Sequence, residues 1–481
     1  MASAGTSAVQ NLFPRPSRCN PDSAAALVLC ALLALALWGL EWAFRGWWEP
    51  DEARFVLIAR EMAASGSWLV PLRNGIPYPD KPPLMMWLIQ AGESVFPAHF
   101  GSRLPLWIGA TLALRAVWSL AARWAGPSAG PRAALLLAAS LQCSLSFGLG
   151  QIDGLLLGLE LAGIRALFLG RTATEAGLWL GLAVLAKGPV GALVPLGAYA
   201  AARFAEGRPP TRRAAARLAL AAAVSVLPAA IWLAAARWLA HAPDDWLRNI
   251  LFSQNLSRAA GAVGGHRHGP LYFLPHLLLQ FLPWTLLLPA AARILRQRDP
   301  SLFRRLAAWA AFVVVFFSVP VCKRNVYILL SIPPLAIGLA AAWPDALPLR
   351  LRPHARPLLA SALILFAVIS AAKPLLNTFK VPRDIAPLAA RHLPAPSDRL
   401  LLYRINGETL SLHANRTGLR VEDDDEALAA MHTLGRGLAV FPASLADDLA
   451  DRFPPAADRP AGAFRVGSRS YVWTAFDAAT P

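Results

Sequence analysis

Trp47-Trp48-Glu49-Pro50-Asp51-Glu52-Ala53-Arg54 sets two adjacent carboxylates and an arginine directly behind an apolar run, residues 24–44. That run is long enough to cross a bilayer as a helix. Charge just beyond a membrane exit, behind a Trp pair suited to the headgroup zone, marks a water–lipid boundary where polar chemistry meets a lipid substrate. About twenty-five residues further on comes Tyr78-Pro79-Asp80-Lys81-Pro82-Pro83-Leu84, a second charged pair beside an apolar run. Two such clusters in one loop outside the membrane are hard to explain by packing alone.

The rest of the chain fits that frame. It has 481 residues, and 56% of them are hydrophobic, too many for a soluble globular protein. Eleven apolar segments approach spanning length: 24–44, 104–122, 133–150, 154–170, 178–185, 190–202, 214–236, 271–292, 306–319, 326–343 and 357–372. Several are short or carry Pro or Gly, so the expected architecture is an α-helical polytopic membrane protein with about eleven to thirteen transmembrane helices. Residues 82–96 are apolar but too short to cross, and read as a juxtamembrane or re-entrant helix. The first segment exceeds a signal-peptide core and lacks a small-residue cleavage site, so it reads as a retained signal anchor.

The net charge of +17, from 46 Lys and Arg against 29 Asp and Glu, suggests nucleic acid in a soluble chain. Here the arginines sit in short loops between spans: Arg203 to Arg217, Arg293 to Arg305, and Arg350 to Arg356. The positive-inside bias assigns them, with Arg15 and Arg18, to the cytoplasm, and no nucleic-acid partner is called for. Counting crossings from those loops places Asp51, Glu52, Arg54, Asp80, Lys81, Asp153, Lys187, His266, Arg267, His268, Lys323, Arg324 and Tyr327 on the opposite side. Lys187, Lys323 and Arg324 break the positive-inside trend there, which an anionic ligand at the outer boundary would explain. The four cysteines show no paired spacing and no metal motif.

Domain organisation follows: 1–23 as a cytoplasmic N-terminus, 24–373 as the membrane domain with an outer loop at 45–103, and 374–481 as a small extracytoplasmic α/β domain. In the last, 400–404, 437–441 and 464–476 read as strands, and 425–431 and 445–453 as helices. The acidic run 422–426 reads as a solvated face or helix start.

The candidate chemistry has two sides. Asp51, Glu52 and Asp153 are the catalytic carboxylates. Proline and acids in a first turn are also ordinary helix-start chemistry, which accounts for one or two of the acids at 49–52. Asp51 suits a general base or a carboxylate that orients an acceptor or a cationic sugar, and the residues do not choose between them. Carboxylates beside a membrane are expected to have raised pKa values. Lys81, its backbone set by Pro82-Pro83, suits a phosphate as a point charge, although a snorkelling lysine reads the same way. Asp80 beside it would hold or tune that charge. Lys323, Arg324 and Tyr327, with Arg54, resemble a clamp for a phosphate or diphosphate head. Asp153 is a turn residue or a partner for one of these cations. Lys187, Arg267 and His268 are further substrate contacts. His266-Arg267-His268 is weak metal evidence, because i, i+2 histidines without further ligands make no site. No cofactor is called for; a divalent cation is compatible with these residues and not demanded by them.

Glu49-Pro50-Asp51-Glu52-Ala53-Arg54, Ile58-Ala59-Arg60-Glu61-Met62, Gly66-Ser67-Trp68-Leu69-Val70-Pro71 and Pro79-Asp80-Lys81-Pro82-Pro83-Leu84 together resemble one known family. It is the aminoarabinose (lipid A) transferase branch of the protein-mannosyltransferase-like C-type glycosyltransferases. Ser102-Arg103-Leu104-Pro105, Ala186-Lys187-Gly188-Pro189, Phe281-Leu282-Pro283-Trp284 and Phe317-Ser318 with Lys323 and Tyr327 add to it, so the resemblance covers roughly residues 25–345. It implies the C-type glycosyltransferase fold and a polyprenyl-phosphate-linked sugar donor, with 4-amino-4-deoxy-L-arabinose as one candidate sugar. It also implies lipid A or another glycan or protein as acceptor, and transfer on the periplasmic face of a bacterial inner membrane. By the same resemblance Asp51 is catalytic, Lys81 binds the donor phosphate, and Lys323 and Tyr327 lie near that site. Asp80 stands where family members often have glutamate. The family's basic residue before the proline of the His-rich loop is Gly269 here, with Arg267 and His268 nearby, which leaves the third phosphate contact unassigned. A protein O-mannosyltransferase-like enzyme is the alternative. A lipid-linked-sugar flippase is disfavoured, because transporters place ionisable groups at midplane and these gather at one face. The C-terminal domain and the loop 241–270 are expected to decide sugar and acceptor.

Overall fold

The computed structural model describes residues 24–49, 51–207, 211–253, 267–395, 397–445 and 461–477. Every apolar segment read from the sequence coincides with helix, and the protein is a multi-pass helical membrane protein. Six helices are long and apolar enough to cross alone: Ala24–Phe44, Leu104–Ala125, Arg212–Trp238, Pro300–Ser318, Asn325–Ala342 and Leu349–Lys380. Counting each bent pair as one span gives up to eight. The gap to the eleven to thirteen expected lies in short or broken helices. Ala129–Ala138 and Val190–Ala205 are too short to qualify, and Leu141–Gly148 turns 113° into Ile152–Phe168. Only 17% of the Arg212–Trp238 apolar window and 11% of that in Leu349–Lys380 is buried, so their apolar side chains are left for lipid.

Inside the bundle, small residues let backbones touch. A Cβ on Gly109 would lie 2.4 Å from the Gly154 carbonyl, and one on Gly158 would lie 2.3 Å from that of Gly109. Leu104–Ala125 and Ile152–Phe168 therefore pack backbone to backbone, as glycine-lined membrane interfaces do.

The segment that decides the site is the helix Asp51–Ser65. Asp51 and Glu52 occupy its first turn, where carboxylates complement the helix dipole. Phe55, Val56, Ile58, Ala59 and Met62 form its buried face. They pack against Met85, Met86 and Ile89 of Leu84–Val95 and against Ile152, Leu155 and Leu159. Leu84–Val95 has 12 residues, about 18 Å of helix, short of a bilayer core of roughly 30 Å. Between the two helices a hairpin pairs β1 (Leu72–Arg73) with β2 (Ile76–Pro77). Its turn residues Asn74 and Gly75 both have positive φ, 54° and 78°, the signature of a tight two-residue hairpin turn.

A cluster of buried charge ties this helix to the bundle. Arg45 grips Glu52 with both terminal nitrogens, at 2.7 and 2.9 Å. Its Nε donates to Glu41 Oε1 at 3.1 Å. Arg103 Nε donates to Glu52 Oε1 at 2.9 Å, and its other nitrogens reach the carbonyls of Trp42, Gly46 and His99. Glu41 also accepts from Ser370 at 2.5 Å and from Lys373 at 2.8 Å. Burial pulls the Glu52 carboxyl up, but Arg103 and Arg45 outweigh it and hold it below its ordinary value.

The C-terminal part holds one five-stranded sheet. β3 (Leu400–Tyr403) lies parallel to both β4 (Gly418–Val421) and β5 (Arg436–Pro442). β5 pairs antiparallel with β7 (Arg469–Asp477), and β7 pairs with β6 (Ala461–Val466), giving the order β4-β3-β5-β7-β6. The single strand read at 464–476 is thus two strands turning at Gly467, φ 63°. β4 and the helices Ile385–His392 and Glu408–Ala414 were not read from the sequence. Most of the helix expected at 445–453, and all of the N-terminal segment 1–23, lie outside the described residues. The sheet domain docks on the hairpin and on the segment ahead of Asp51–Ser65 through Arg73–Glu408 at 2.5 Å and Arg469–Glu49 at 2.7 Å.

Glu52→Gln removes the shared anion, leaving Arg103 buried without its counter-charge and Arg45 with Glu41 alone, a change expected to cost about 3–5 kcal/mol. Thermal unfolding in detergent should show a large fall in midpoint; an unchanged midpoint contradicts this account of the cluster.

Candidate functional site

Beside the helix start lies a cavity of about 370 Å³. Four elements build its polar end. The turn ahead of Leu84–Val95 supplies Asp80 and Lys81, whose Nζ donates to the Asp80 carbonyl at 2.9 Å. Asp153 stands in the first turn of Ile152–Phe168, and Lys187 in the last turn of Ala173–Lys187, where Gly188 at φ 88° ends the helix. Lys187 donates to Asp153, and its Nζ lies 5.2 Å from the Tyr327 ring centre. Tyr327 comes from the segment ahead of Ile332–Ala342. The remaining wall is apolar and includes Leu157, Leu193, Phe316, Phe317 and Leu330. One end offers cations and a phenol, and the interior suits a hydrocarbon chain.

Asp51 sits between two guanidinium groups next to this cavity. Arg324 Nη2 donates to its Oδ2 at 2.9 Å, and Arg54 Nη2 to its Oδ1 at 2.5 Å. Burial pulls the carboxyl up, and Arg324 and Arg54, with Lys187 behind them, pull it down further. The net result lies below the ordinary value, which corrects the expectation of a raised carboxylate. Arg324 and Arg54 are held in their charged forms: desolvation is outweighed by Asp51 for Arg324, and by Tyr78 and Asp51 for Arg54.

The structure thus brings Asp51, Arg54, Asp80, Lys81, Asp153, Lys187, Arg324 and Tyr327 to one neighbourhood. It does not bring Glu52, Lys323, Arg267 or His268 there. Glu52 follows Asp51 in a helix, points elsewhere, and is consumed by Arg45 and Arg103, so it holds the fold rather than facing the cavity. Lys323 is only 2% exposed. Its Nζ donates to the carbonyls of His268, at 3.0 Å, and Pro320, at 2.5 Å, stitching two segments together. Arg267 pairs through its backbone with Cys322, and the His268 ring stacks on Tyr272 at 4.1 Å. His266 lies outside the described residues. Among those residues, no three His, Cys, Asp or Glu side chains gather into a metal-binding group.

Glu160, which the sequence reading passed over, lines the cavity two turns below Asp153 on the same helix. The signal was available: a lone acid inside an apolar helix is expensive and marks a site.

The chain resembles known proteins in sequence and fold. The family model described as dolichyl-phosphate-mannose-protein mannosyltransferase matches residues 80–232. The undecaprenyl phosphate-alpha-4-amino-4-deoxy-L-arabinose arabinosyl transferase of Pseudomonas paraeruginosa is 30% identical over 310 residues, 61% of this chain and 55% of that protein. Transferase 1 of the same description from Sodalis glossinidius is 32% identical over 316 residues, 61% and 54% of the two chains. The chain thus spans a little over half the length of these relatives. Among solved structures, ArnT from Cupriavidus metallidurans bound to undecaprenyl phosphate superposes with a TM-score of 0.76 at 21% identity, covering 94% of this chain and 98% of that one. The Archaeoglobus fulgidus oligosaccharyltransferase follows at TM-score 0.54 and 14% identity, covering 88% and 69%. These two likenesses establish a shared fold.

Removing Arg324, the cation with the larger effect on Asp51, should expose the effect of burial there. A carboxylate with a depressed folded pKa contributes stability above its unfolded value, near 3.9, and loses it as pH falls through the lower folded value. Arg324→Ala leaves burial less opposed, so the Asp51 titration moves up. The acid limb of the activity–pH profile should shift to higher pH than in wild type; superimposable limbs contradict the assignment.

Proposed function

We propose that this chain is a sugar transferase of the protein-mannosyltransferase-like C-type glycosyltransferases, in the branch that holds the aminoarabinose transferases, a reading supported by the family model over residues 80–232 and by the likeness to the arabinosyl transferases. It moves a sugar from a polyprenyl-phosphate donor to lipid A or another envelope acceptor at the periplasmic side of the inner membrane. The observation that carries this reading is the cavity itself: an apolar interior for a prenyl chain, ending at Lys81, Lys187 and Tyr327, with Asp51 beside it.

In the reaction, the bond between the anomeric carbon and the phosphate oxygen breaks while the acceptor oxygen bonds to that carbon. The electron pair leaves with polyprenyl phosphate. Its developing charge falls where Lys81 and Lys187 already stand, and preorganised cations of this kind favour the transition state over the ground state. Lys187 is aligned by Asp153, so the cavity pre-pays part of that organisation.

Asp51 fits the orienting role better than the basic one. A carboxylate held below its usual pKa by two guanidinium groups is a weak base. That favours an acceptor that arrives ionised, as a lipid A phosphate does, and a cationic sugar whose charge the carboxylate can position. An enzyme acting on protein hydroxyls needs its carboxylate to take a proton, so the protein O-mannosyltransferase reading is second. A flippase has no use for a fixed cation cluster at one end of its lipid pocket.

Asp51→Asn and Lys81→Ala should each fold yet lose transfer by about 10²–10³-fold, the range for removing one preorganised stabilising group. The assay is mass spectrometry of lipid A, glycans and proteins from deletion cells complemented with each variant. Unchanged products in all three pools between deletion and wild type would remove the enzyme reading, and full activity of both variants would remove the site.

A further inference from the structure

A second cavity, about 530 Å³, lies in the sheet domain and belongs to no part of the donor site. Its walls are the loop Arg404 to Gly407 after β3, the end of β5 and the residues after it, Pro442 to Ser444, and on the third side Arg469, Ser470 and Tyr471 of β7. β3 and β5 are parallel neighbours, but the chain leaves them in opposite directions: β3 leads to β4 on one flank, β5 toward β6 and β7 on the other. The crevice beyond the carboxyl ends of such a strand pair is where open α/β sheets take ligands.

The lining states the chemistry. It holds two guanidinium groups, two serine hydroxyls, a phenol and the Asn406 amide, and no carboxylate among the described residues. Both ends of the first loop are in the left-handed region, Arg404 at φ 51° and Gly407 at φ 60°. A non-glycine residue held there is strained and needs support from its surroundings. Arg404 is steadied from one side by its Nε, which donates to the Glu422 carbonyl at 2.9 Å. Arg469 is steadied from the other by Glu49, two residues ahead of Asp51. The same loop is tied to the β1–β2 hairpin by Arg73, which donates to Asn406 at 3.2 Å. An anion seated here is therefore anchored beside the segment that carries Asp51. Forked guanidinium groups suit phosphate oxygens, and the hydroxyls and amide suit sugar.

We propose that this crevice binds a phosphorylated saccharide, the headgroup of the acceptor lipid, and so docks the acceptor while the membrane cavity holds the donor. The assignment rests on the transferase reading above.

The test uses the full chain in detergent, titrated with deacylated lipid A (a glucosamine disaccharide bisphosphate), with inorganic phosphate, and separately with undecaprenyl phosphate. Wild type should bind the disaccharide saturably and more tightly than inorganic phosphate. The double variant Arg404→Gly with Arg469→Gln should bind it at least tenfold more weakly, with undecaprenyl phosphate binding unchanged. Disaccharide affinity unaltered in the variant overturns the proposal, as does a wild type that binds inorganic phosphate equally well. A wild type that binds undecaprenyl phosphate but not the disaccharide overturns this site and leaves the transferase reading standing, whereas failure to bind undecaprenyl phosphate strikes the transferase reading itself. Should the double variant lose both ligands, Arg404→Gly alone decides by the same tenfold threshold, since glycine relieves the left-handed backbone there.

Discussion

One buried carboxylate sets the geometry of everything around it. Glu52 is held by Arg45 and Arg103 at the point where the first span, the Asp51–Ser65 helix and Leu104–Ala125 meet. Successive side chains in a helix point about 100° apart. Pinning Glu52 inward therefore fixes the direction of Asp51, which faces Arg324 across the rim of the cavity. Ion pairs this deep cost much of their Coulomb energy in desolvation, and a well-packed apolar core would do as well for stability alone. Their value here is rotational register. The helix that carries Asp51 cannot turn about its axis without separating Glu52 from two arginines.

The donor cavity applies the same logic to cations. Lys81 and Lys187 are charged groups beside apolar helices, each provided with a local acceptor: the Asp80 carbonyl for one, Asp153 for the other. Those acceptors fix where the two cations stand. Asp51 is treated in the opposite sense, with two cations around one anion, which leaves it charged and weakly basic. At Asp51 the combined pull of its cationic partners outweighs burial. That balance is what favours an acceptor already carrying its own negative charge.

Much of this was legible in the chain. Hydropathy located every apolar helix, because a spanning segment must satisfy its backbone internally and advertises itself by composition. The acidic and lysine motifs after the first span drew attention in the sequence, and the structure gathers Asp51, Lys81, Asp153, Lys187, Arg324 and Tyr327 into one neighbourhood. Direction was not legible. Asp51 and Glu52 are adjacent acids, and Lys323 and Arg324 adjacent cations; within each pair only one faces the site, and the choice is made by distant partners such as Arg103 and the His268 carbonyl. The lowered pKa of Asp51 was missed for the same reason, since Arg324 lies 273 residues away in sequence. In the sheet domain, β4 has four residues and no strong alternation, so its strand character comes from pairing with β3 rather than from its own pattern.

The account stands or falls on where the donor phosphate sits. A structure of this protein determined with undecaprenyl phosphate should place the phosphate within hydrogen-bond reach of Lys81, near Lys187 and Tyr327, with the prenyl chain running past Phe316 and Leu330. Phosphate density outside this cavity, with Lys81 making no contact to it, would contradict the account.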